Sequence, residues 1–347
     1  MSTNRLRVLL TNDDGPPGPA SPYIYGLYKH LTADLGWDVK VVIPSSQKSW
    51  IGKAYQIQDI TYGRYYYPRD PDGSGETSEV SRPLAEGEIG EWILLDGTPA
   101  TCANIALHNL YRGEIDLLLS GPNLGRNTSS AFALSSGTIG AALSSSLSKV
   151  RSIALSYGIV IHSGPTPASF SEPAHALSSR IVKHLWDNWG KDEGGLRSGE
   201  VDLYNVNIPM TNGLLSEEGL PILWTRIWRN SYGRLFQAHP QGQEAVLKRT
   251  ISEAGPDTPG RSPPADTSSR GDVEPKEVGN LVFKFSPEMK GLINPPPGSI
   301  PEGSDGWAID KGWVSVTPMR ASFAEPLAEE HFGADGTLQD RIWKMKL

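Results

Sequence analysis

Along the first 160 residues, short apolar runs alternate with stretches of helical spacing. Residues 8–10 are apolar, stop at Thr11 and read as a buried strand. Ser21-Pro22 then offers an N-cap and a proline for the first turn of a helix. Ile24, Leu27, Tyr28 and Leu31 line one face of that helix, and Gly36 stops it. "DVKVVIP" (38–44) is a second strand. Thr98-Pro99 opens a helix with Cys102, Ile105, Ala106 and Leu110 on its apolar face. A strand over 115–121, a helix over 138–147 and a strand over 152–157 follow. This order predicts an α/β fold with a mainly parallel sheet and helices on both faces.

The later pattern is less regular. Residues 172–189 have helical spacing and 201–209 read as a strand. Segments 222–228, 282–286 and 313–318 read as further strands, added in antiparallel or hairpin fashion. Two stretches break the alternation. Residues 69–91 are rich in Gly, Glu and Asp, and 253–279 in Pro, Gly, Ser and charge, so both are expected to be flexible insertions. No internal repeat is visible.

With 347 residues, 38% of them hydrophobic, the chain can build one large α/β domain. Mean hydropathy is -0.34, and no apolar run approaches the roughly 20 residues of a membrane span. The net charge is -7 without a dense basic run, which argues against sequence-specific nucleic-acid binding. A single cysteine, Cys102, excludes an intrachain disulfide and a Cys-based zinc site. Together with an N-terminus that lacks a signal-peptide pattern, it makes a reducing, cytoplasmic location the expectation.

In an open parallel sheet, ligands bind beyond the carboxyl ends of the strands. Four polar clusters fall there: Asn12-Asp13-Asp14-Gly15, the serines at 45, 46 and 49, Ser120-Gly121-Pro122-Asn123 with Asn127, and Ser136-Gly137-Thr138. Two adjacent carboxylates repel each other and resist burial unless a cation joins them. A hard divalent ion relieves both costs, with the Ser49 hydroxyl and the Asn123 amide oxygen as suitable neutral partners. The same four residues also compose an ordinary solvated turn. Small residues opening a helix at 136–138 expose N–H groups that can hold an anion, or simply cap the helix. The seven histidines form no metal-ligand spacing, no Gly-x-Ser-x-Gly elbow is present, and Cys102 sits on a core-facing helix stripe. The ten tryptophans, concentrated in the second half, read as core or interface anchors. A response-regulator receiver domain also carries an acidic pair after its first strand. Asp116 opens its strand instead of closing it, however, which disfavours that signalling reading.

"LLTNDDG", "DGTPATCANIAL", "SGPNLGRNTS" and "SSGTIGAAL" resemble, in order and spacing, the blocks of the SurE family of metal-dependent nucleotidases and acid phosphatases. "YNVNIP" (204–209) and "DGWAIDKGWVSVTPM" (305–319) are similar to its later blocks. The resemblance covers residues 5–320 and suggests a fungal-type member. It implies a Rossmann-like three-layer core with a smaller β-rich extension, one domain over 1–320, and a helical C-terminal tail over 321–347. That tail would support homodimers or homotetramers. It further implies that Asp13, Asp14, Ser49 and Asn123 hold Mg²⁺ or Mn²⁺, with Ser46 as the substitute for Ser49. Asp13 and Asp14 would then be catalytic.

The expected reaction is hydrolysis of nucleoside monophosphates or other phosphomonoesters. Asn12, Asn127, Ser136, Gly137 and Thr138 would bind phosphate, and a covalent aspartyl-phosphate is the minor variant. The alternative is a catalytically impaired member that binds nucleotides or partners. The chain departs from the family pattern at Trp50, where glycine is usual, and at Pro122. The turn after Gly15 is longer by about three residues, an insertion loops tolerate.

Overall fold

The strand β1 (Arg7–Thr11) pairs in parallel on both sides, Val8 with Val39 and Val8 with Leu117. It therefore lies inside a ten-stranded sheet of order β4-β3-β5-β2-β1-β6-β7-β8-β12-β9. Its neighbours are β2 (Asp38–Pro44) and β6 (Leu117–Leu124), flanked by β5 (Trp92–Leu95), β7 (Arg151–Ile159) and β8 (Leu203–Met210). All six pair in parallel. The computed structural model describes residues 5–159, 166–238, 282–288, 292, 295–296, 298–324 and 345.

Alternation along β1 divides the core. Val8 and Leu10 join Ile24, Leu27, Leu31 and Ile181 on one face; Leu9 joins Val42, Leu118, Cys102 and Ala141 on the other. The first face is covered by α1 (Ile24–Lys29), which continues through His30–Asp34, and by α5 (Ser171–Asp187). The second is covered by α2 (Pro99–Ile105) and α4 (Gly137–Leu147), packed on each other. Thr98 caps α2 by accepting from the Thr101 N–H at 3.1 Å, as its sequence position implies. Cys102 is fully buried, and burial pushes its thiol pKa up, so it is a core residue.

Several expectations need correction. The first helix starts at Ile24 and Ser21 does not cap it; its hydroxyl donates to the Gly15 carbonyl at 2.8 Å instead. The pattern reading overlooked β3 (Gly63–Pro68), β4 (Gly75–Ser78) and β5. Residues 69–91, expected to be a flexible insertion, contain β4 and a buried Glu88 that Arg82 and Arg69 both pair with. Arg82 chiefly holds that carboxyl down at about 2. At the far edge, β12 (Val314–Met319) runs antiparallel to β8, but β9 (Ile222–Trp224) is parallel to β12 and not a hairpin partner. β10 (Phe236–Ala238) and β11 (Phe283–Phe285) form a separate antiparallel pair. The insertion expected over 253–279 lies outside the described residues, as does the tail except for 321–324 and Met345.

Candidate metal centre

The chain leaves β1 toward β2 and β5, then returns to β6 on the opposite side. The crevice between the carboxyl ends of β1 and β6 is thus the topological switch point, where ligands bind in open α/β sheets. Asp13 and Asp14 follow β1, and Asn123 lies near the end of β6. Asp13 and Asp14 are 3% and 4% exposed, so the solvated-turn reading does not hold.

Each carboxylate is fixed by a partner distant in the chain. Thr138 Oγ1 donates to Asp13 Oδ1 at 2.6 Å, and the Leu124 N–H donates to Asp14 Oδ2 at 2.8 Å. Gln47 Nε2 reaches Asp14 Oδ1 only at 3.4 Å. Lys48 N–H donates to the Asp13 carbonyl at 2.7 Å, which pins the loop after β2 beneath the pair. Burial raises the pKa of both groups. For Asp13 the Thr138 hydroxyl and the backbone of Gly137 and Thr138 oppose the rise; for Asp14 the charge of Asp13 adds to it. Like charges facing each other in a dry site call for a cation.

Glycine at 137 is a steric requirement. A Cβ there would stand 2.8 Å from Asp13 Cβ and 3.0 Å from its Oδ2. One at Gly140 would meet the Gly52 carbonyl oxygen at 2.3 Å, so the loop after β2 lies directly on α4.

Asp13, Ser49, Asn123, Asn127 and Ser136 line a cavity of about 30 Å³, together with Trp50, Arg126 and Phe132. Asn123 donates its Nδ2 to the Gly125 carbonyl at 2.7 Å, which leaves the amide oxygen as its remaining acceptor. Asp13 lines this cavity and Asp14, next to it in the chain, borders the neighbouring hollow; with the Asn123 amide oxygen and the Ser49 hydroxyl they are all hard oxygen donors suited to Mg²⁺ or Mn²⁺. The set fits such an ion. Among the described residues no group of three or more His, Cys, Asp or Glu side chains could hold a metal. Ser49 shares the cavity with Asp13 and Asn123, and Ser46 lies in the neighbouring hollow that Asp14 and Gln47 border.

Several residues expected to bind phosphate make hydrogen bonds within the chain. Asn12 braces its own loop, donating to the Gly15 carbonyl at 2.8 Å and accepting from the Gly15 N–H at 3.1 Å. Ser136 accepts from the Ile139 N–H as the cap of α4. Thr138 and Gly137 serve Asp13. Asn127 borders the cavity, but its Nδ2 donates to Ser156 Oγ, and Asn207 and Asn205 hold its backbone at 2.7 and 2.8 Å. The two asparagines of "YNVNIP" thus fasten the Asn127 loop.

Sequence reasoning passed over Gln47, Arg126 and the Leu124 N–H. Arg126 was legible as the cation inside "SGPNLGRNTS"; a backbone N–H has no sequence signal. Asp305 was also missed. It is fully buried and accepts from the N–H groups of Ser129 at 2.8 Å and Trp228 at 2.9 Å, joining three distant segments.

A larger hollow of about 770 Å³ lies between α1, α5 and the 71–74 turn. It lacks the carboxylate pair, and its charged rim is largely occupied: Lys29 pairs with Asp70, and His30 contacts both Asp34 and Glu172.

The family model described as Survival protein SurE matches residues 8–234. A probable tubulin–tyrosine ligase PBY1 of Saccharomyces cerevisiae is 35% identical over 343 residues, covering 92% of this chain. The chain spans 41% of that protein's length. A 5′-nucleotidase SurE of Cereibacter sphaeroides is 30% identical over 294 residues, 83% of this chain and 100% of the relative. The crystal structure of the SurE protein from Aquifex aeolicus superposes with a TM-score of 0.56 at 21% identity, covering 93% of this chain and 97% of that one. It shares the fold, an α/β core with a mainly parallel sheet.

Proposed function

The chain belongs to the SurE family, and on that premise we propose that it is a metal-dependent phosphomonoesterase acting on nucleoside monophosphates. The observation that carries the reading is the buried Asp13–Asp14 pair at the switch point, with Asp13 sharing a small cavity with Asn123 and Ser49. Asp13, Asp14, Asn123 and Ser49 would hold Mg²⁺ or Mn²⁺, which supplies positive charge to a phosphoryl oxygen and acidifies a water.

The side chains divide the remaining work. Thr138 and the start of α4 orient Asp13 and oppose the rise that burial gives its pKa. The Leu124 N–H fixes Asp14 Oδ2, while Asp14 Oδ1 has only the long Gln47 contact. Asp14 Oδ1 accepts the proton of the attacking water. Arg126, on the cavity lining, neutralises and orients the phosphate oxygens. Burial of the pair excludes bulk water, which strengthens each of these contacts.

The yeast relative's name points to a ligase, but this chain spans 41% of that protein. The carboxylate cavity accords with the names of the nucleotidase relatives. Association into dimers or tetramers accords with the edge strand β9, whose Ile222 and Trp224 are 52% and 59% exposed. The function is tested by phosphate release from nucleoside 5′- and 3′-monophosphates with Mg²⁺, with Mn²⁺ and with EDTA. Metal-dependent release supports it; nucleotide binding without release would instead mark a binding member of the family.

A further inference from the structure

The residue after Ser49 has a backbone that favours glycine, yet it is a tryptophan. Trp50 lies at φ 61°, the left-handed region that bulky side chains rarely adopt. Glycine would satisfy this loop without strain. The indole therefore has a use that the backbone does not explain. Its position suggests one: Trp50 lines the same cavity as Asp13, Ser49 and Asn123.

The indole also leads an aromatic surface away from that cavity. Ring centroids of Phe132, Tyr232 and Phe285 stand 6.0, 6.5 and 5.3 Å from it. The interplanar angles are 74°, 68° and 63°, so none of the three stacks flat on the indole. Phe236 extends the row, 5.5 Å from Phe285. Tyr232, Phe285 and Phe236 remain 50%, 41% and 55% exposed. An aromatic wall that begins at the carboxylate cavity and continues outward suits a ligand with an anionic end and a planar, apolar end.

We infer that Trp50 is the stacking platform for the nucleobase of the substrate, and so selects base-bearing phosphomonoesters over base-free ones. This rests on the phosphomonoesterase reading. Stacking is tolerant of base identity because every base has a π-face. The platform therefore reads the presence of a base more than which base it is.

The test compares adenosine 5′-monophosphate with ribose 5-phosphate, which lacks the base, in the full chain and in W50G, W50L and W50F. W50G suits the left-handed backbone, W50L keeps apolar bulk without a ring, and W50F keeps a ring. The ratio of kcat/KM for the nucleotide to that for the sugar phosphate is expected to fall by roughly 5-fold or more in W50G and W50L, the range of base–aromatic stacking. W50F should retain most of it. An unchanged ratio, including an equal loss on both esters, would overturn the inference and leave Trp50 as a loop residue. If the wild-type chain hydrolyses neither ester, the enzyme reading fails by itself. Calorimetric binding of the same two probes then decides: a preference for the nucleotide that W50G abolishes supports the platform, and no such preference overturns it.

Discussion

Thr138 Oγ1 donates a 2.6 Å hydrogen bond to Asp13 Oδ1 across 125 residues of sequence. The bond ties the start of α4 to the end of β1. It gives a buried carboxylate a donor that water cannot supply there. A neutral helix residue thereby sets the orientation of a candidate metal ligand.

Thr138→Ala should therefore damage activity more than stability. A hydrogen bond to a charged group contributes about 1.5–3 kcal/mol. Loss of orientation at the reacting centre should lower kcat/KM by about 10–100-fold. Thr138→Ser retains the hydroxyl and should recover most of the rate. Steady-state kinetics of the two variants beside their urea midpoints check this.

Asp305→Ala should act in the opposite way, on the fold. Its carboxylate accepts from the N–H groups of Ser129, Trp228 and Gly306. Leaving buried donors unsatisfied costs about 1–3 kcal/mol each. A loss of about 3 kcal/mol or more in urea unfolding is expected.

The buried His175 predicts a pH dependence of stability. Burial, reinforced by His30, lowers its pKa from 6.5 to about 3. Its Nδ1 contacts the Tyr157 hydroxyl at 2.9 Å, and its ring packs where a Cβ on Gly26 would stand. The unfolded chain binds the proton more tightly. The stabilisation is therefore fully present above about 6.5 and is lost as pH falls toward about 3. His175→Gln should remove up to about 1.4 kcal/mol per pH unit from the slope in that window. Melting temperatures of both proteins from pH 7.5 to 5 measure it.

The sequence made the central strands legible because their residues are nearly all buried. β2 matches the expected 38–44 in full, and "TIGAALSSSL" lies within α4. β5 has four residues, too few to show a period, and the tyrosines of β3 sit among turn residues. The acidic pair stood out in sequence because adjacent carboxylates at a strand end are costly without a cation. The roles of its neighbours were not. Asn12, Thr138 and Ser136 have the side chains of phosphate ligands, but only tertiary structure shows what occupies them. Trp50 stood out in sequence as a departure from glycine; its left-handed backbone and ring partners required the fold.

The central claim is that Asp13 and Asp14 together hold a divalent ion required for phosphate release. Asp14→Asn removes one charge with little change of shape. Without metal the variant should be as stable as wild type or more so, because burial and the charge of Asp13 already disfavour an ionised Asp14. Metal-dependent release of phosphate from a nucleoside monophosphate should fall by at least about 100-fold, since losing mere outer partners of metal ligands already costs about 10–100-fold. Near-wild-type turnover by the folded variant, with the same sensitivity to EDTA, would contradict the account.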